Sequence, residues 1–119
     1  MKQPTEEELV LNLVGEMRRG TLVVVVLFSS DKPEYGYSLV EELAARGVVI
    51  EQNTLYPLLR RLEGQGLLTS TWDTSSARPR KYYALSDMGR RVRERLLVEW
   101  RELSRVMESI AEEANHEDR

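Results

Sequence analysis

The segment Gln52-Asn53-Thr54-Leu55-Tyr56-Pro57-Leu58-Leu59-Arg60-Arg61-Leu62-Glu63-Gly64-Gln65-Gly66-Leu67-Leu68 decides the fold, because its continuation changes hydrophobic period. Leu55, Leu58, Leu59 and Leu62 recur three and four residues apart and so line one side of a helix from about Glu51 to Gln65. Gly66 supplies the terminator. Pro57 is tolerated in a first turn capped by Asn53 or Thr54, and becomes a mild kink if the helix starts earlier. Arg60 and Arg61 project from a different face than the leucines. From Leu67 to Asp73 the period falls to two: Leu68, Ser70 and Trp72 alternate with Leu67, Thr69 and Thr71, as in a strand. Thr74 to Ala77 is a polar turn, and Pro79 to Leu85 returns as a second strand through Tyr82 and Tyr83. The far side of this hairpin carries Arg78, Arg80 and Lys81, three cations with no nearby acid in the sequence.

Upstream, Tyr35 to Arg46 reads as a helix with Leu39, Val40, Leu43 and Ala44 on its apolar face and Gly47 beyond its end. Ser30 to Glu34 is a loop. Leu22 to Phe28, with four consecutive valines, has the local propensity of a buried strand. Thr5 to Arg18 forms an amphipathic helix through Leu9, Leu13 and Met17, opened by a capping box of Thr5 and Glu8. Downstream, Ser86 caps a helix from Asp87 to about Ala114. Its small or apolar positions, Gly89, Val92, Leu96, Trp100, Leu103, Met107, Ile110 and Ala114, approach a coiled-coil seam.

Composition narrows the function. The chain has 119 residues, enough for one domain with an appendage and too few for a second catalytic domain. It has no cysteine, and its one histidine, His116, falls in a polar tail. Thiolate chemistry, disulfides and cysteine-based zinc sites are therefore excluded, and no nucleophile–base pair, metal cluster or cofactor motif is expected. No segment approaches the roughly 20 apolar residues of a bilayer span, and no signal-peptide core is visible, so a soluble cytoplasmic protein is expected, with no membrane partner. The net charge is −3, but it is unevenly spread. Residues 1–17 carry one cation against four acids, residues 52–83 five against two, and residues 86–119 seven against nine. The middle of the chain is locally basic between acidic ends.

Three helices followed by a two-stranded hairpin is the order of a winged helix-turn-helix, whose third helix enters the DNA major groove. In that reading Gln52, Asn53, Thr54 and Tyr56 face base edges or phosphates, and Arg60 and Arg61 hold the backbone. Arg78, Arg80 and Lys81 on the wing add to the same surface. Tyr35, Tyr37, Tyr82 and Tyr83 are expected in the core or at its rim.

Several blocks in order resemble the PadR family of bacterial transcriptional regulators. They are Arg19-Gly20-Thr21-Leu22, Tyr35-Gly36-Tyr37-Ser38-Leu39, Thr54 through Glu63, Gly66-Leu67-Leu68, Arg80-Lys81-Tyr82-Tyr83 and Leu85-Ser86-Asp87-Met88-Gly89. The resemblance implies a mainly α fold with a small β-hairpin: a winged helix-turn-helix plus N-terminal and long C-terminal dimerisation helices. Residues 1–85 would form the N-terminal helix and DNA-binding domain, and residues 86–119 the dimerisation helix with its tail. It also implies that the valine run is helical, against its local propensity. A homodimeric repressor on a double-stranded inverted-repeat operator is the implied function.

The dimer has a physical argument of its own. A helix about 40 Å long carrying Leu96, Trp100, Leu103, Met107 and Ile110 cannot bury that seam on a small core. A second copy, contributing also Leu9, Leu13 and Met17, would cover it; folding back onto the chain's own N-terminal helix is the alternative. By resemblance to compact relatives, Trp100, with Leu96 and Met17, would line a site for a small flat aromatic effector. The reading from another class is a winged-helix protein-interaction module that does not bind DNA.

Overall fold

The computed structural model describes residues 3–117. Met1, Lys2, Asp118 and Arg119, counted in the charge balance, lie outside the described residues. The elements are α1 (Glu6–Phe28), β1 (Glu34–Tyr35), α2 (Gly36–Ala45), α3 (Gln52–Gly64), β2 (Leu68–Asp73), β3 (Arg80–Leu85) and α4 (Asp87–Glu117). Among the described residues no helix is long and apolar enough to cross a membrane.

The N-terminal segment is one 23-residue helix and not a helix followed by a strand. Thr5 caps it as expected, its Oγ1 accepting the Glu8 amide at 3.1 Å. The valines continue the helix because tertiary burial outweighs local preference. Val26 and Leu27 are fully buried, each worth about 1.5–3 kcal/mol of burial, whereas β-branching costs a helix only tenths of a kcal/mol per residue. The helix stops where Ser30 turns its hydroxyl back to the Val26 carbonyl at 2.7 Å.

The wing belongs to a three-stranded antiparallel sheet in the order β1-β3-β2, not to an isolated hairpin. Leu68 pairs with Leu85 at one end of β2–β3 and Asp73 with Arg80 at the other. β1 falls in residues expected as loop end and helix start; Tyr35 pairs with Tyr82 and stacks on it at 3.9 Å. Tyr35 then serves as the N-cap residue of α2.

α2 and α3 end alike. Gly47 and Gly66 have φ of 93° and 81°, a backbone region that glycine enters without penalty. The amides of Val48 and Leu67 reach back to the carbonyls of Leu43 and Leu62 at 2.8 and 2.9 Å, the bond pattern of a Schellman stop. α3 begins earlier than Asn53, with Glu51 as its N-cap, so Pro57 lies inside the helix. The Asn53 carbonyl therefore has no amide partner four residues on.

The core gathers Leu27 from α1, Leu39 and Leu43 from α2, Leu55, Leu59 and Leu62 from α3, and Leu68 and Leu85 from the sheet. Ser86 joins the end of α3 to the start of α4. Its hydroxyl donates to the Gly66 carbonyl at 2.6 Å and accepts the Gly89 amide at 2.9 Å. Gly89, read from sequence as part of the seam, is instead a crossing point: a Cβ there would stand 2.2 Å from the Leu67 carbonyl oxygen. One turn on, Arg93 reaches Asp31 at 2.7 Å and lies 4.8 Å over the Phe28 ring, tying α4 to the end of α1.

Beyond Leu96, which packs on the core, α4 extends past the expected Ala114 and takes in His116. Trp100, Leu103, Met107 and Ile110 are exposed along it, as are Leu9, Leu13 and Met17 on α1. Met17 and Leu103 keep 71% and 67% of their surface in solvent, so the single chain does not fold back to bury its own stripes.

Candidate nucleic-acid interface

The leucine spacing of α3 fixes which residues it offers outward. With Leu55, Leu59 and Leu62 buried, Gln52, Asn53, Thr54, Pro57, Arg60 and Arg61 are exposed. Among the described residues, Arg60, Arg61 and Arg78 have no carboxylate partner. Tyr56 is half-buried, not free in an exposed first turn. Its ring lies against Gly36, where a Cβ would come within 2.4 Å of Cε1. This glycine sets how closely α2 and α3 approach.

The wing differs from its sequence reading. Lys81 is not a free cation: its ammonium sits 3.0 Å from Glu63 of α3, and 5.2 Å and 5.9 Å from the rings of Tyr83 and Trp72. Glu63 also accepts the Ser70 hydroxyl. Those bonds, to Ser70 first and then to Lys81, hold the Glu63 carboxyl below its usual range, and the same contact raises Lys81. The three partners clip the wing to α3. Arg80 is exposed but lies 5.1 Å over the Tyr35 ring and beside Asp73. Asp73 is lowered to about 2, chiefly by the Ser75 hydroxyl, then by the Ser75 amide and the Tyr35 hydroxyl. The expectation of three wing cations without a nearby acid is thus corrected. Glu63 is 18 residues from Lys81, and Asp73 faces Arg80 only once the hairpin has closed.

Between α2, α3 and the wing lies an open cleft of about 700 Å³, lined among others by Tyr37, Glu41, Tyr56, Arg60, Trp72 and Arg80. Tyr35, Tyr82 and Tyr83 are half-buried or buried, as expected, but Tyr37 is 57% exposed and faces this cleft. Tyr37, Trp72 and Glu63 are the members of the site that sequence reasoning left out; the exposure of Tyr37 follows from its place at the start of α2, outside the Leu39–Leu43 face. Of the residues assigned to an effector, Leu96 is half-buried on the core while Met17 and Trp100 are exposed. Among the described residues no group of three or more His, Cys, Asp or Glu side chains is placed to hold a metal.

Comparison with known proteins gives this arrangement a family. The model of the transcriptional regulator PadR-like family matches residues 23–95, from the middle of α1 to the first turns of α4. The crystal structure of a PadR family transcriptional regulator from Eggerthella lenta DSM 2243 superposes with a TM-score of 0.84 at 48% identity, covering 87% of this chain and 93% of that one. The transcriptional regulator Rv3488 of Mycobacterium tuberculosis is 34% identical over 76 residues, 63% of this chain and 71% of its own. Bacillus subtilis PadR, solved in complex with operator DNA, shares the fold with a TM-score of 0.60 at 20% identity, over 66% of this chain and 46% of that one. With more than half its length matched by the family model and its winged helix-turn-helix shared with these structures, the chain belongs to the PadR-like family of transcriptional regulators.

Proposed function

We propose that this DNA-binding regulator represses transcription by binding an inverted-repeat operator as a homodimer. The observation that carries the reading is the exposed edge of α3, with Arg60 and Arg61 unpartnered beside the cleft that separates α2 from the wing. That edge has the polar and cationic groups a major-groove helix needs. Operator DNA as partner is the property of the Bacillus subtilis relative, carried here as part of the proposal. Gln52, Asn53, Thr54 and Tyr56 would read bases or phosphates, and Arg60, Arg61, Arg78 and Arg80 would hold the backbone. Lys81 contributes by holding the wing to Glu63.

The exposed stripes of α1 and α4 support the dimer: Leu9, Leu13 and Met17 of one copy and Leu103, Met107 and Ile110 of the other can cover each other. Two-fold symmetry then sets two α3 helices about 34 Å apart, one per successive major groove. A flat aromatic effector between the two copies of Trp100, flanked by Leu96 and Met17, would tilt the rods and change that spacing. Saturable quenching of Trp100 fluorescence by planar aromatics in a Trp72→Phe protein is the expected sign; flat titrations would remove the effector from the proposal.

The test of the DNA reading is a gel shift with the protein's own promoter region at several salt concentrations. A specific shift that weakens steeply with salt, and is lost in Arg60→Ala/Arg61→Ala with the fold intact, is the expected result. The competing reading, a protein-interaction module, draws on the net charge of −3 and on the pairing of Lys81 with Glu63. It takes over if no promoter fragment shifts even at low salt.

A further inference from the structure

Trp72 has no structural reason to be where it is. It is 63% exposed on β2, away from the α1 and α4 stripes a second copy would cover, and it faces the cleft shared with Tyr37, Arg60 and Arg80. A large apolar ring left in water costs free energy that burial would recover. The ring is also fixed. Its strand is paired with β3, and directly opposite stands Lys81, whose ammonium lies 5.9 Å from the indole and is itself held by Glu63. An aromatic group held rigidly at an open cleft is suited to meeting a partner with little further loss of side-chain freedom.

The electrostatics of the same face indicate which partner. Two of the wing cations look at acids, Lys81 at Glu63 and Arg80 at Asp73, so the charge free to release counterions from a polyanion is smaller than the sequence count suggests. A DNA-binding face with few free cations must draw more of its affinity from contacts that salt does not screen. In duplex DNA the base faces are stacked on each other, and what a wing meets is deoxyribose and phosphate. Deoxyribose offers apolar C–H surface to an indole face, and phosphate accepts from the indole N–H.

We propose that Trp72 is a direct DNA contact, its ring packed on the deoxyribose of the strand that crosses the cleft and its N–H donating to an adjacent phosphate. The contact rests on the DNA-binding reading above. It supplies a part of the affinity that does not depend on salt, whereas Arg60 and Arg61 supply the part that does.

The experiment measures operator affinity across a salt series for the full chain and for Trp72→Ala, Trp72→Phe and Arg60→Ala. Trp72→Ala should lose about tenfold in affinity with an unchanged slope of log K against log salt. Trp72→Phe should recover part of that loss. Arg60→Ala should lower the slope by about one. In parallel, the chain labelled with 5-fluorotryptophan gives one fluorine resonance for each of its two tryptophans, assigned through Trp72→Phe. The Trp72 resonance should shift on adding operator and lose its response to solvent isotope. Because this readout uses the unsubstituted protein, it stands even if Trp72→Ala unfolds. An unmoved Trp72 resonance, or Trp72→Ala affinity within twofold of the parent at every salt concentration, overturns the contact while DNA binding stands. If the parent protein shifts no DNA, the function proposed above falls and the contact with it.

Discussion

Gly36 and Tyr56 share one space: the ring occupies the position where any side chain at 36 would begin. Gly36→Ala must therefore displace Tyr56 or part α2 from α3, at a cost of about 1–3 kcal/mol. A lowered melting temperature together with weaker operator binding is the expected pair of results, and an unchanged gel shift would show that the α2–α3 spacing is not critical for DNA. One strand residue earlier, Glu34 has a carboxylate oxygen that is buried without a hydrogen-bond partner. Burial first, then a hydrogen bond to Glu42 and the charge of Glu42, raise it from 4.5 to about 7. Glu42 is itself shared with Arg46 at 3.7 Å, and the β3 residue opposite Glu34 is Tyr83. A carboxyl whose folded value is raised binds its proton more tightly in the native state. Its contribution to stability is therefore complete below pH 4.5 and is lost as the pH rises through 7. Glu34→Gln should raise the melting temperature at pH 8 and flatten its decline between pH 5 and 8, as followed by circular dichroism.

The wing and α3 act as one piece because Lys81, Glu63 and Ser70 meet between them. Lys81 should then add little to counterion release: Lys81→Met is expected to leave the salt slope of operator binding nearly unchanged, while Arg61→Ala lowers it by about one. Equal slope changes in both would show that Lys81 leaves Glu63 for phosphate. Such a clip is not visible along the chain, since its partners are brought together only by the closed hairpin. What could be read in advance were features with a local period or cap: the α3 leucines and hence the exposure of Arg60 and Arg61, the alternation of β2, and the stops at Gly47 and Gly66. The valines of α1 misled because their environment is tertiary, and β1 left no signal because two residues carry no periodicity. Tyr56 was misplaced for a related reason: the helix starts at Gln52 without a side-chain cap to mark it, so the position of its first turn was not written in the sequence.

Two amphipathic helices leave the winged core with their apolar stripes uncovered, and the molecule measures 64 × 39 × 25 Å as a result. The double substitution Leu103→Asp/Met107→Asp should give a helical species near 13.8 kDa by sedimentation velocity, with weakened operator binding, against twice that mass for the parent. A parent that sediments as a single chain at micromolar concentration would remove the dimer. The hydroxyl of Ser86, bonded at once to the last turn beyond α3 and to the first turn of α4, makes a fulcrum. The lever arm on its far side is 31 residues, about 46 Å at ~1.5 Å per residue. A swing of about 4 Å at the free tip then amounts to a rotation of only about 5° at the fulcrum. α3, seated close to that pivot, would pivot in its groove rather than slide along it, so an operator gripped by two such levers would register angle before distance.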